Sequence, residues 1–477
     1  MSDTTAAEPT FPRRMSHADT LMWNMEQDPL LRSTITAVAV FDRSPGWPAF
    51  QHVMDRASRA IPRLRQRVAV PPVRLATTPA WVVDPDFDLS RHVRRVPAPP
   101  PGELRWALEQ AQVRASAGFD RSRPLWDCTL VEGLAQGRAA AVATVHHSWA
   151  DGVGGVALLA MMFGLESGPV AIEQPGGVPV PMPQPPAPAA PSDATVALDG
   201  LVDSARNVIH GVPEVSTRIA GHVARLGRDP RAEVVATARV LRSVARFLAP
   251  AAAPMSPLMR ARSGALSYDV FDVELARLRA AAKAESGSVN DGFLAAVLLG
   301  LQHYHHRHGT AATALRVGMP INQRGEVQAL GGVRITIARF PVSLADDPAP
   351  AQLMARIGRS TRHWRAEPAI ALTDELSLVL DTMPAALMRW ISGGLLKQLD
   401  VIASNVPGIP VPVYCGEAEL LRFYALGPPF GAAVNVTLFS HAGWCCIAVS
   451  CDRAAVPDND VLVECLRAGF ADVTVSV

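Results

Sequence analysis

Two adjacent histidines, His146 and His147, followed by Asp151 and Gly152, are the residues whose types and spacing could do chemistry. An imidazole titrates near neutral pH, so it can take a proton from a hydroxyl in one step and release it in a later one. That is the demand of acyl transfer to an alcohol. An uncharged run of strand length, Ala139 to Val145, precedes the pair, and an uncharged run of helix length, Val153 to Leu165, follows it. The pair therefore sits where a buried strand gives way to a buried helix. Successive strand side chains point to opposite faces, so only one of the two histidines can face a given cavity. Asp151 lies four residues after His147, across a turn that Gly152 allows. It either orients the imidazole or holds the loop through a basic residue such as Arg121 or Arg123. The competing structural reading is a satisfied pair of core histidines beside an aspartate that caps the next helix. Agreement of the pair, the spacing and the strand-to-helix context favours function.

The elements that must hold this stretch can be read on both sides of it. Met15 to Met25 reads as a helix with Ser16 as N-cap and Asp19 three residues on. Ile35 to Phe41 reads as a strand, and Ala49 to Ile61 as a helix stopped by Pro62. Trp81 to Leu89 and His92 to Val96 read as extended, and Glu103 to Ala117 has helical spacing. Trp126 to Val131 and Ala139 to Val145 form a hairpin around Gly133 to Gly137. These elements make residues 1–168 a first lobe. The prolines from Pro169 to Pro191 prevent ladders and helices, so residues 169–195 are expected to be a polyproline-like linker. Residues 196–262 alternate apolar side chains with arginines such as Arg206, Arg218 and Arg225, the pattern of amphipathic helices with a basic face. A solvated crossover between lobes is favoured over a helix lying on anionic lipid.

A second lobe spans residues 263–477. Leu266 to Phe271 alternates as a strand, Val273 to Ala284 has helical spacing, and Val289 to His305 is a long apolar helix opened by Asn290 and Asp291. Strands follow at Leu315 to Ile321 and Val333 to Val342. Leu376 to Leu399 reads as two apolar helices hinged at Pro384, with Met388 and Trp390 as contacts to something greasy. The chain ends in strands at Val401 to Val406, Glu419 to Ala425, Ala433 to Phe439 and Cys445 to Ser450, then a helix from Asp458 to Phe470.

Composition bounds the rest. At about 150 residues per domain, 477 residues suggest two to three units. With 49% hydrophobic against 19% charged residues the chain can fill large cores. A net charge of +1 gives no field to gather nucleic acid. The first residues are polar, without the apolar core of a secretory signal, and no uncharged apolar run reaches the ~18 residues of a spanning helix. Six cysteines show no paired metal spacing and fit core thiols in a reducing cytoplasm. His303, His305, His306 and His308 cluster at a helix end, where the dipole favours them, and no carboxylate or cysteine completes a metal set, so no metal is expected. Gly152, Gly154 and Gly155 form no dinucleotide fingerprint, and the absence of G-x-S-x-G argues against a serine hydrolase.

The stretch from His146 to Gly152 resembles the His-His-x-x-x-Asp-Gly motif of the acyl-CoA-dependent acyltransferase superfamily, which includes chloramphenicol acetyltransferase and peptide-synthetase condensation domains. Across nearly its whole length the chain is similar, more narrowly, to the bacterial wax ester synthase/diacylglycerol acyltransferase family. Met15 to Asp19, Phe87-Asp88-Leu89 with His92-Val93-Arg94, Pro124-Leu125-Trp126, Asn290-Asp291, Ser404 to Gly408, Asn435-Val436-Thr437 and Asp452 to Asp458 resemble that family's blocks in order. The resemblance implies an α/β (α+β) fold of two chloramphenicol-acetyltransferase-like lobes, each a mixed sheet flanked by helices, joined by a helical crossover. It implies a tunnel between the lobes for acyl-CoA and acceptor. It also implies that His147 is the general base, that His146 supports it and that Asp151 mainly holds the loop. Gly152, Asn290, Asp291, Pro124 and Trp126 would support the motif.

The implied reaction needs acyl-CoA as co-substrate and no separate cofactor. It gives triacylglycerol from diacylglycerol and wax esters from fatty alcohols, in a protein that is cytoplasmic or lies against the inner membrane face or a lipid droplet. Asn290, Asn435 and Thr437 are candidates for stabilising the oxyanion, while Asn290 also reads as the N-cap of its own helix and Pro124 to Trp126 as packing. Transfer to another alcohol or an amine, or a non-catalytic lipid-binding or lipid-droplet protein of the same fold, are the alternatives.

Overall fold

The computed structural model describes residues 11–70, 78–149, 163–168, 253–322, 335–367 and 385–475, with residues 238, 242, 243, 245, 249 and 377. Asp151, Gly152, the apolar run behind them, the proline linker, most of the basic crossover and the first helix before Pro384 lie outside these residues.

Helix α1, His17–Met25, begins as its sequence dictates. The Ser16 hydroxyl accepts from the Asp19 N–H and the Asp19 carboxylate accepts from the Ser16 N–H, closing a reciprocal capping box. Strand β1, Thr34–Phe41, follows, then helix α2, Trp47–Ala60. A small ribbon pairs β2, Gln66–Ala69, with β3, Ala80–Val83. The extended reading of Trp81 to Leu89 fails after Val83. Asp84 and Asp88 accept the N–H groups of Asp86 and Ser90, at 3.1 and 2.9 Å, and these local bonds turn the chain instead of extending it. Strand β4, Val93–Pro97, helix α3, Leu104–Ala117, and strands β5, Trp126–Glu132, and β6, Ala139–His146, complete the first part of the chain. Alanines and valines let β6 be buried along most of its length, as a central strand must be.

The second part runs through β7, Leu266–Glu274, α4, Leu275–Ala284, α5, Val289–Arg307, β8, Ala314–Asn322, and β9, Ile335–Ser343. Helix α6, Pro350–Arg365, comes next and was not foreseen. Its buried Leu353, Met354, Ile357 and Trp364 do recur at helical spacing, but four arginines and a histidine dilute the stripe. Then follow α7, Ala385–Leu396, β10, Val401–Val406, β11, Tyr414–Cys415, β12, Ala418–Leu426, β13, Val434–His441, β14, Trp444–Asp452, and α8, Asn459–Thr474. Met388 of α7 is core, packed with Met25 and Leu31, whereas Trp390 is 70% exposed.

Two six-stranded mixed sheets result, in the orders β11-β12-β1-β6-β5-β4 and β7-β14-β13-β10-β8-β9. In the first only β4 and β5 run parallel, and in the second β10 runs parallel to both β13 and β8. The first sheet is not built from residues 1–168 alone. Strand β12 lies antiparallel to β1, Ala37 opposite Ala425, so residues 414–426 leave the lobe their position in the chain assigns them and cover the β1 edge. An unpaired β1 edge would leave a row of backbone donors and acceptors open, and this hairpin closes it. Val38, Val40, Val131 and Val142 of the first sheet share one buried cluster with Leu108 of α3 and with Tyr268, Val270, Cys446 and Ala448 of the second sheet. The lobes are thereby fixed face to face, and the end of β6 falls at their junction.

Candidate active site

Strand β6 delivers both histidines. His146 is its last residue, opposite Thr34, and the His147 N–H donates to the Ser33 carbonyl at 2.7 Å as the chain tightens into the turn His147–Trp149. The two imidazoles have different surroundings. That of His147 belongs to a half-buried residue, its ring centroid 5.5 Å from that of Phe430. That of His146 is wholly buried, edge-on to Trp23 at 5.6 Å and Phe119 at 6.2 Å.

The His146 ring is bonded at both nitrogens. Nδ1 lies 2.7 Å from Ser148 Oγ and accepts the Ser148 backbone N–H at 3.1 Å, while Nε2 lies 2.8 Å from Glu26 Oε2. A backbone N–H can only donate, so Nδ1 carries the lone pair and the proton resides on Nε2, donated to the carboxylate. Arg121 reaches the same Glu26 oxygen at 3.3 Å. Burial by itself would raise the Glu26 carboxyl, but the hydrogen bond from His146, with the charge and hydrogen bond of Arg121, outweighs it and holds the group below its ordinary value of 4.5. Arg123 pairs with Asp120 at 3.2 Å.

Phe430 comes from the turn between β12 and β13, and its φ of 48° is left-handed. Asn435 holds this turn, its Nδ2 donating to the Pro428 carbonyl at 2.8 Å while its Oδ1 accepts from Thr437 Oγ1 at 3.3 Å. Arg262 Nε adds a bond to the Gly431 carbonyl at 2.6 Å. Gly427 permits the close approach, since a Cβ there would lie 2.7 Å from Asn435 Nδ2. Asn435 and Thr437, considered above for an oxyanion, thus serve the loop that carries Phe430. A small cleft between the lobes reaches Phe430 and is walled by Pro29, Leu30, Arg32, Thr34, Leu266 and Asp452 among others.

The remaining motif residues do other work. Trp126 donates from Nε1 to the Leu64 carbonyl at 2.8 Å and stacks on His92, which stacks in turn on Phe87. His92 Nδ1–H donates to the Trp126 carbonyl at 2.8 Å, and burial lowers its pKa despite that bond. Phe87 and His92 from one stretch of the chain and Trp126 from another therefore meet in one aromatic stack, with Pro124 buried beside it. At the start of α5 the N-cap is Ser288, not Asn290. The Asp291 carboxylate accepts from the Ser288 N–H at 2.9 Å and from Thr361 Oγ1 of α6 at 3.3 Å, while Asn290 Nδ2 lies 3.6 Å from Met319 Sδ. Asp291 therefore ties α6 to α5.

The histidines at the end of α5 go to separate partners. His303 meets Asp472 at 2.6 Å, His308 meets Asp458 at 2.9 Å, and His305 is buried against Ser256. Among the described residues no three His, Cys, Asp or Glu side chains converge as a metal set, and no helix is long and apolar enough to cross a membrane. Sequence reasoning missed Glu26, Ser148 and Phe430. Ser148 stands inside the histidine motif and was open to notice. Glu26 and Phe430 reach the site only through folding.

Two mixed sheets sharing a core, with a strand-end histidine pair at their junction, define the two-lobed architecture of the chloramphenicol-acetyltransferase type. The chain belongs to the wax ester synthase/diacylglycerol acyltransferase family: residues 15–293 match that family's catalytic domain and residues 332–474 its C-terminal domain. A Mycobacterium tuberculosis protein provisionally named a diacylglycerol O-acyltransferase is 38% identical over 470 residues, covering 98% of this chain and 92% of the relative. A second protein so named from the same organism is 25% identical, over 97% of each. Among solved structures, the wax ester synthase/diacylglycerol acyltransferase of Marinobacter aquaeolei VT8 superposes with a TM-score of 0.59 at 20% identity, over 97% of this chain and 99% of that one. The first condensation domain of the calcium-dependent antibiotic synthetase also gives 0.59, at 14% identity, over 98% and 96%. Both share the fold.

Proposed function

We propose that the protein is a long-chain acyl-CoA-dependent O-acyltransferase that forms triacylglycerol from diacylglycerol and, as a second activity, wax esters from fatty alcohols. The observation that carries this reading is the half-buried His147 at the lobe junction, its ring against Phe430 of the cleft between the lobes, in a chain of this family. His147 takes the proton of the acceptor hydroxyl as the oxygen attacks the thioester carbonyl. The resulting tetrahedral oxyanion collapses, the C–S bond breaks, and the proton passes from His147 to the departing coenzyme A thiolate. Transfer is direct, with acyl-CoA as co-substrate and no acyl-enzyme. In this scheme His146 supports the corner from behind, and Asp151 with Gly152 holds the loop that follows.

The same reading puts the protein in a reducing cytoplasm and against a lipid surface. Its six cysteines are all free thiols. Helix α7 is apolar and presents Trp390 and Leu387, 70% and 44% exposed, on its outer side. The test gives purified protein labelled palmitoyl-CoA with diacylglycerol, with hexadecanol, with an amine acceptor, or with none. Triacylglycerol and wax ester are the expected products. Amide as the only product would move the reading to another acceptor class, and no product with any acceptor would leave a lipid-binding protein.

A further inference from the structure

Glu26 is the C-cap residue of α1, and its carboxylate is nine-tenths buried. A buried carboxylate costs several kcal/mol unless other groups compensate it. Here Oε2 receives His146 Nε2 at 2.8 Å and Arg121 at 3.3 Å, while Oε1 is buried with no hydrogen-bond partner. The guanidinium of Arg121 lies 4.0 Å from the ring of Trp23, which itself packs on His146. Three segments thus converge: α1 supplies Glu26 and Trp23, residues 119–121 supply Phe119 and Arg121, and β6 supplies His146. The charged and titratable groups among them are Glu26, Arg121 and His146.

We propose that Glu26 is a positioning residue for acyl transfer, acting through His146 to hold the corner from which His147 reaches substrate. This rests on the reading of His147 as the base. A carboxylate only accepts, so it selects the His146 tautomer with the proton on Nε2. That tautomer leaves the Nδ1 lone pair for the Ser148 N–H. Because His146 and Ser148 flank His147, their bond closes a short ring around the His147 backbone and fixes where its side chain departs. Without the carboxylate the other tautomer becomes available, and its Nδ1–H would oppose the Ser148 N–H and turn to the Ser148 hydroxyl, loosening the ring. Errors of this size in a catalytic group's placement cost rate rather than binding.

The test compares wild type, Glu26→Gln, which keeps an acceptor but loses the charge, and Glu26→Leu, which keeps neither. Three quantities are measured: kcat and KM for ester formation, thermal melting, and the His146 tautomer by nitrogen-15 NMR of histidine-labelled protein. The ring is identified by its proximity to Trp23 and Phe119. Expected are a fall in kcat of about 10-fold or more in Glu26→Leu, a smaller one in Glu26→Gln, little change in KM, and loss of the Nε2–H signature in Glu26→Leu. Wild-type kcat in Glu26→Leu would overturn the proposal. So would an unchanged His146 tautomer with activity lost only in step with melting. Wild type that makes no ester with any acceptor would instead reject the acyltransferase reading, and the NMR comparison would still decide whether Glu26 sets the tautomer.

Discussion

The ring of Phe430, on the turn that joins the first sheet to the second, lies 5.5 Å from that of His147 at the end of β6. The contact puts an apolar lid over one side of the imidazole, and excluding water from a general base suppresses hydrolysis of the acyl donor. Phe430→Ala should therefore raise free fatty acid relative to ester several-fold when acyl-CoA and diacylglycerol are supplied together. Chromatography of the labelled products measures the ratio, and an unchanged ratio would show that the ring does not shield the site.

Asn435 should matter through the same loop. Removing its amide in Asn435→Ala strands the Pro428 carbonyl and the Thr437 hydroxyl, a cost of about 1–3 kcal/mol for a buried group left unpaired. Urea unfolding should register that loss, and kcat should drop with it. Thr437→Val, which leaves the Pro428 bond intact, should do less in both measurements.

His92 predicts a pH dependence whose sign can be worked out. Burial lowers its folded pKa from the ordinary 6.5, so below pH 6.5 the unfolded chain binds a proton that the folded chain resists. The stability contributed by the neutral imidazole is fully present above pH 6.5 and is lost as pH falls toward the folded value. Urea melts between pH 7.5 and 5.5 should show wild type losing stability faster than His92→Gln. One proton limits the difference to about 1.4 kcal/mol per pH unit. Parallel pH profiles for the two proteins would contradict this.

The exposed side of α7 offers a further test. Trp390→Ser combined with Leu387→Ser changes two solvent-facing side chains and should leave melting within about 0.5 kcal/mol of wild type. Binding to phospholipid vesicles, read by flotation, should fall several-fold. Undiminished flotation would place the lipid contact elsewhere.

How much of this was legible in the sequence depended on the range of the interaction. The capping box of Ser16 and Asp19, the hairpin that ends at His146 and the apolar helix after Ser288 are written in local spacing, and the structure has them within a few residues. The crossing of residues 414–426 to the first sheet has no local signature, because β12 alternates as any half-buried strand does. The neighbours of the histidines were equally hidden. Glu26 meets His146 across 120 residues of chain, and nothing beside Met25 announces it. Pro124, Trp126, Asn290 and Asp291 were visible as motif residues, yet only their contacts reveal a stack and a helix tie.

The account turns on His147. With diacylglycerol and long-chain acyl-CoA saturating, His147→Ala should cut ester formation by at least ~100-fold, the scale of a lost general base, while melting as wild type does. Turnover equal to wild type in a folded His147→Ala protein would contradict it.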